Sequence, residues 1–183
     1  MEDGALWVFG YGSLIWDPGF VAAERQVARV SDYRRSFCMA SVHYRGTPDA
    51  PGLVLALDAA PGAVCDGVAF RVAPADAAST QDDLRKRELV SYAYVERMLP
   101  VVLADGRRVA ALAYVIAPGH AQYRGNLPLA DQAAIIARAA GTRGPNRDYL
   151  RHTVAHLATL GILDPDLVWL DERVAELVKK PDR

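Results

Sequence analysis

Between residues 6 and 116 the chain alternates short apolar runs with turn residues, and that rhythm limits what it can fold into. Residues 6–9, 27–30 and 35–42 read as strands. Residues 53–57 follow Pro51-Gly52, residues 64–72 follow Pro61-Gly62, and residues 95–103 and 108–116 flank Asp105-Gly106. Proline presets φ and glycine accepts positive φ, so these pairs favour turns, and Asp-Gly between two strand-like runs is a hairpin signal. Many short strands with turns between them predict a mostly antiparallel sheet or small barrel. A helix is expected at 74–88, where Pro74 suits the first turn and Asp76 meets the positive helix end.

From residue 129 the apolar spacing becomes helical. Residues 129–140 predict a helix capped by Gly141, and residues 145–160 a second capped by Gly161. Leu150, Val154, Leu157 and Leu160 form the stripe of that second helix. Leu167, Leu170, Val174 and Leu177 form the stripe of a third, and both stripes read as core. The expected class is α+β, a β-rich body followed by a helical C-terminal portion, in a single domain over residues 1–183.

Charge narrows the partners. The chain has 21 Lys and Arg against 22 Asp and Glu, a formal net charge of -1. No excess of cations exists to neutralise a phosphate backbone, which argues against nucleic acid. The cluster Arg85-Lys86-Arg87 is offset by Asp82, Asp83 and Glu88 and reads as a solvated helix face. No apolar run reaches the ~18 residues of a membrane span. The acidic start Met1-Glu2-Asp3 is unlike a basic signal peptide, and Cys38 and Cys65 stand far apart without a CxxC pair. Those features suit a cytosolic protein with reduced, buried thiols.

The strongest local signal is Val8-Phe9-Gly10-Tyr11-Gly12-Ser13-Leu14-Ile15-Trp16. A strand breaks into two glycines around a tyrosine, turns apolar again and stops at Asp17-Pro18. Such a turn either is a plain structural reversal or aims several N–H groups at one anion. The usual phosphate and nucleophile motifs do not fit. No Gly-Lys-Ser/Thr follows, Ile15 stands where a dinucleotide loop needs its third glycine, and Tyr11 and Ile15 flank Ser13 where a nucleophile elbow needs glycines. A cradle for a carboxylate remains, with Ser13 binding rather than attacking.

Glu88 ends the helix predicted at 74–88, where an acid meets the wrong end of the helix dipole. It either lies exposed and pairs with a nearby Lys or Arg, or enters the apolar stretch that follows, which would raise its pKa and suit it to proton transfer. His152 and His156 have metal-ligand spacing but lack the glutamate of HExxH and a third ligand, so they read as exposed histidines. His43 and His120 are isolated and read as structural. Tyr123, in Gln122-Tyr123-Arg124-Gly125, either closes over a ligand or anchors its loop.

Taken together, the turn and Glu88 resemble the ChaC family of γ-glutamylcyclotransferases. Residues 8–16 look like the family's substrate loop, and Tyr44-Arg45-Gly46-Thr47-Pro48 with Pro51-Gly52-Leu53-Val54 like its second signature. Arg87-Glu88 falls at its Arg-Glu pair, and Gly144-Pro145-Asn146-Arg147-Asp148-Tyr149-Leu150 at its Gly-Pro-Asn signature. The four motifs stand in family order and cover nearly the whole chain. The resemblance implies a small β-barrel with surrounding helices and cleavage of glutathione to 5-oxoproline and cysteinylglycine, with no cofactor, no ATP and no metal. It places Glu88 as general acid/base and Gly10, Tyr11, Gly12, Ser13, Leu14 and Ile15 as the γ-glutamyl cradle; Tyr123, a polar-tipped aromatic in its loop, is the further candidate for substrate binding. Many members have glycines after the glutamate and before a tyrosine, where this chain reads Leu89-Val90-Ser91-Tyr92. Other γ-glutamyl compounds as substrates, and a non-catalytic γ-glutamyl-binding protein, are the competing readings.

Overall fold

The computed structural model describes residues 4–179, so the acidic start Met1-Glu2-Asp3 lies outside the described residues. Five strands form a closed barrel: β1 (Leu6–Gly10), β2 (Glu24–Ser41), β3 (Gly52–Val72), β4 (Tyr94–Leu103) and β5 (Arg108–Ile116). Their order is β1-β3-β2-β4-β5. β1 pairs antiparallel with β3, Leu6 opposite Val72, and parallel with β5, Trp7 opposite Ala111, which closes the ring. The barrel is therefore mixed, with antiparallel pairing dominant. The expected hairpin is present, with Val102 opposite Arg108 and Gly106 at φ 89° in its turn.

Two expected strand breaks do not occur. Residues 27–30 and 35–41 belong to one strand, β2, and residues 53–57 and 64–72 to one strand, β3. Asp32 and Gly62 take φ 64° and 79° inside these strands, and the Gly62 N–H donates to Asp32 Oδ1 at 2.9 Å. Pro61-Gly62 is thus absorbed as a local irregularity, as a bulge absorbs an extra residue, rather than reversing the chain. The reversal falls before Gly52 instead, as expected.

The chain forms two compact units. Residues 4–35 with Ala56–Ala121 make the first, and Ser36–Leu55 with residues 122–179 the second. In the first, Val8, Phe9, Val30, Leu57, Val68 and Val101 are wholly buried. β5 is buried along residues 111–116, as befits a strand paired on both edges. Helix α1 (Ala77–Glu88) buries only Thr80 and Leu84. Its charged remainder explains why a helical signal there came from caps rather than from a stripe.

The second unit holds α2 (Leu129–Arg138), α3 (Asn146–Thr159) and α4 (Pro165–Lys179), packed on one another through Ile136, Leu150, Leu157, Leu170 and Val174. In α3 the buried face is Asn146, Leu150, Thr153 and Leu157, so the stripe is rotated slightly from the expected one, with Val154 and Leu160 half-buried. Gly161 does terminate this helix: it takes φ 69° and the Ile162 N–H returns to the Leu157 carbonyl at 3.0 Å. Gly141 does not terminate α2, which ends at Arg138. Ala140–Gly141 (β6) pairs with Gly144–Pro145 (β7), and a Cβ on Gly141 would lie 2.5 Å from the His43 carbonyl oxygen. That glycine permits a close backbone approach instead of a cap.

Three of the recognised motif segments meet inside this second unit. Asn146 is fully buried; its Oδ1 accepts from the Leu53 N–H and its Nδ2 donates to the Leu53 carbonyl, each at 2.7 Å. The Arg45 guanidinium donates to the carbonyls of Arg143 and Pro145 and lies over the Tyr149 ring. A Cβ on Gly46 would fall 2.0 Å from the Gly52 nitrogen. These residues act as a clasp on the backbone, with their hydrogen-bonding groups turned to one another.

Candidate active site

The second glycine-rich segment, in the first unit, is built differently. β1 runs into Gly10, where a Cβ would meet Leu14 Cβ at 3.0 Å and the Phe70 ring at 3.2 Å. Gly12 then leads a 3-10 turn over Ser13–Ile15. Neither glycine has a positive φ, so crowding rather than left-handed backbone is what requires Gly10. Leu14 and Ile15 are buried and fix the turn to the core. The first bond inside the turn runs from the Ile15 N–H to the Gly12 carbonyl at 2.9 Å, and the amides of Ser13 and Leu14 precede it.

Helix α1 delivers Arg87 and Glu88 beside this turn. The Arg87 guanidinium donates to the Asp17 carbonyl at 2.7 Å and to Ser13 Oγ at 3.2 Å, while its Nε lies 3.1 Å from Glu88 Oε1. Arg87 is therefore no part of a solvated face, although Arg85 and Lys86 are exposed. It turns away because the loop carbonyl and the serine oxygen supply acceptors that solvent would otherwise supply. Glu88 combines both expected surroundings: it pairs with its neighbour, yet only 17% of its side chain is accessible. Burial raises its pKa above the ordinary carboxylate value, and the Arg87 charge opposes that rise without cancelling it.

Two further residues brace the turn, and neither stood out in the sequence. Arg35, 8% exposed, donates from Nη1 to the Tyr11 carbonyl at 2.7 Å and from Nη2 to the Asp66 carbonyl at 2.9 Å. The Tyr11 hydroxyl donates to the Tyr114 carbonyl at 2.8 Å. Strand parity was the available signal for Arg35, which shares its face of β2 with the buried Phe37. For Tyr114 it was a polar tip within the apolar run at 111–116.

The structure thus brings Gly10, Tyr11, Gly12, Ser13, Leu14 and Ile15 together with Glu88, through Arg87. Tyr123 belongs to the second unit, where it is half-buried, bridges to Met39 and packs tightly against Gly125. After Glu88 the chain continues through an exposed turn in which Tyr92 takes φ 56°. Leu89, Val90 and Ser91, where many family members carry glycines, do not take positive φ. His152 is exposed, and His156 Nδ1 lies 2.7 Å from the His152 carbonyl, so the ring is turned along its own helix. Among the described residues no group of His, Cys, Asp or Glu is placed to hold a metal ion. Cys38 and Cys65 are buried and are not joined in a disulfide. A cleft of about 380 Å³ opens between residues 18–21 and α1 with Arg87 on its wall, but Asp76 and Asp83 also line it and disfavour an anion there. No helix among the described residues is long and apolar enough to cross a membrane.

Comparison with known proteins identifies the family. Residues 6–180 match the family described as ChaC-like protein. The chain is 34% identical to gamma-glutamylcyclotransferase 2-3 of Arabidopsis thaliana, over 97% of this chain and 92% of that one. It is 33% identical to the glutathione-specific gamma-glutamylcyclotransferase of Escherichia coli K12, over 91% of this chain and 71% of that one. A crystal structure of a glutathione-specific γ-glutamyl cyclotransferase from yeast superposes with a TM-score of 0.86 over 94% of this chain and 96% of the other, at 24% identity, and shows a shared fold.

Proposed function

This chain belongs to the ChaC-like family, and we propose that it is a cytosolic γ-glutamylcyclotransferase that cleaves glutathione to 5-oxoproline and cysteinylglycine. The observation that carries the reading is a half-buried acid with a raised pKa, tied through one arginine to a glycine-rich turn. The similar γ-glutamylcyclotransferases, among them the glutathione-specific enzyme of Escherichia coli, supply the substrate class.

The reaction suits these groups. A γ-glutamyl amide carries its own nucleophile, the α-amine, which closes a five-membered ring on the side-chain carbonyl. Folding the substrate into that geometry supplies several kcal/mol through proximity. Only the free amine attacks, and an α-amine titrates near ~8 whereas an ordinary glutamate titrates near ~4.3. Burial of Glu88 narrows that gap and makes its carboxylate a better base for the ammonium proton. The same carboxyl then returns the proton to the departing amine. The turn over residues 10–15 holds the substrate's α-carboxylate against backbone amides, with the Ser13 hydroxyl adding one hydrogen bond. Ser13 is oriented for this by Arg87, whose charge also favours an anion nearby. Tyr123 is the remaining proposed substrate contact.

The test is incubation of the purified protein with glutathione, without ATP or added metal, assaying both products. Equimolar 5-oxoproline and cysteinylglycine, absent with Glu88→Gln, is the expected result. Release of 5-oxoproline only from other γ-glutamyl compounds would move the substrate assignment, and binding without turnover would leave a γ-glutamyl-binding protein.

A further inference from the structure

Tyr114 lies on β5 with 2% of its surface accessible, directly opposite Glu96 on β4. Its hydroxyl is a buried side-chain oxygen without a hydrogen-bond partner among the described residues. A folded protein satisfies nearly all such groups, and an orphan in its interior calls for a cause. The surroundings are specific. The charges of Glu96 and Glu88 both favour the protonated phenol, and Arg85 opposes them weakly. Glu96 already accepts from Arg85 Nε at 2.6 Å and from Gln81 Nε2 at 3.1 Å, and Glu88 is engaged by Arg87. Burial and the two carboxylates hold the phenol well above its ordinary pKa, so it stays a neutral O–H donor. Its backbone is tied to the substrate turn, because the Tyr11 hydroxyl donates to the Tyr114 carbonyl.

A neutral donor, unpaired among the described residues, within the field of Glu88 and with its backbone braced to the turn, needs an acceptor that arrives with the substrate. We propose that Tyr114 is a catalytic residue of the cyclisation proposed above, its hydroxyl donating to the γ-carbonyl oxygen as that oxygen becomes anionic. The α-amine nitrogen forms its bond to the γ-carbon, and the carbonyl pair moves onto oxygen, where Tyr114 donates a hydrogen bond without giving up its proton. The pair then returns and the old carbon–nitrogen bond breaks: the departing nitrogen takes the proton that Glu88 accepted from the ammonium, the ring nitrogen gives its surplus proton to the carboxylate so regenerated, and the released amine carries that proton away. Preorganised donors of this kind act on the transition state rather than on binding.

The inference rests on the cyclotransferase reading, and its test separates the two. Full-length wild type and Tyr114→Phe are compared for 5-oxoproline release from glutathione across pH, and for thermal unfolding without substrate. The expected loss in kcat is about 100-fold, the effect of removing one such donor, with KM little changed. The acid limb of the pH profile is expected to stay in place, and Tm to equal or exceed that of wild type because no hydrogen bond is lost from the free protein. Unchanged kcat overturns the proposal. So does an acid limb displaced to higher pH with its plateau intact, which would mean that the hydroxyl acts through Glu88. A lowered Tm overturns it as well, by showing the hydroxyl paired in the free protein. Wild type that releases no 5-oxoproline from glutathione or from other γ-glutamyl compounds overturns the cyclotransferase reading itself, while the melting comparison still decides whether the hydroxyl is unpaired.

Discussion

The two glycine-bearing regions of this protein solve opposite problems. Around Asn146, polar groups answer one another: both amide atoms meet Leu53, the Arg45 guanidinium meets two carbonyls, and Gly46 and Gly52 let the backbones touch. Around Gly10–Ile15 the apolar residues are fixed, but capacity is left over: amides that head a turn, a largely buried acid, and a buried hydroxyl without a partner among the described residues. Similar residue types thus make a clasp in one place and a site in the other. What distinguishes them is whether hydrogen-bonding capacity is consumed internally or kept for something that binds.

Four substitutions sharpen or break that contrast. The largest effect is expected for Glu88→Gln, with turnover of glutathione falling by about 10³-fold, the loss of one general acid–base group. The fold should not suffer. Because burial raises the folded pKa above the unfolded one, the native state retains a proton that the unfolded state releases, so this carboxyl lowers stability as pH rises through that window. The stability advantage of Glu88→Gln over wild type should therefore be absent at low pH and widen as pH rises above the ordinary carboxylate range, as read from denaturant midpoints. Asn146→Ala should do the reverse of an active-site change. It strands the Leu53 N–H and carbonyl in a buried place, with an expected cost of about 3 kcal/mol in chemical denaturation. An Asn146→Ala protein of unaltered stability would remove the clasp from the comparison.

A subtler effect is expected at Arg87. Its charge holds the Glu88 pKa lower than burial alone would, so Arg87→Met should move the acid limb of the kcat/KM profile to higher pH. An acid limb that stays in place would mean that Glu88 does not govern it. The smallest effect is expected at Tyr92, exposed and held at φ 56°. Tyr92→Gly should relieve backbone strain and raise stability by about 0.5–1 kcal/mol, measured by the denaturant midpoint.

Much of this was legible in the sequence, and the failures have physical reasons. Strands β1, β4 and β5 and the Asp-Gly hairpin could be read because turn chemistry and alternation agree there. The merger of two runs into β3 could not, since Pro61-Gly62 signals a reversal locally and only the long-range bond to Asp32 shows it contained. Gly141 looked like a cap because a close approach to His43 leaves no local trace. Within the site, the turn and Glu88 were visible as a motif and as an acid at a helix end. Arg87 was misjudged because its acceptors, Ser13 and the Asp17 carbonyl, lie some seventy residues away. Arg35 and Tyr114 share that difficulty: their roles come from partners supplied by distant strands.

The same distances govern how the site comes into being. Its turn emerges early in the chain, whereas the bonds that complete it span 70, 74 and 103 residues, to Arg87 and Tyr114. Each closes a long loop, and such contacts form late because chain entropy is surrendered before they return anything. During synthesis, the turn must leave the ribosome well before Glu88, and the tyrosine on β5 follows later still. A chain arrested before residue 114 is expected to be catalytically silent however well its first strands have paired. Recovery of turnover during refolding would therefore report closure of the whole barrel unit, a late event that the spectroscopic appearance of strands alone would miss.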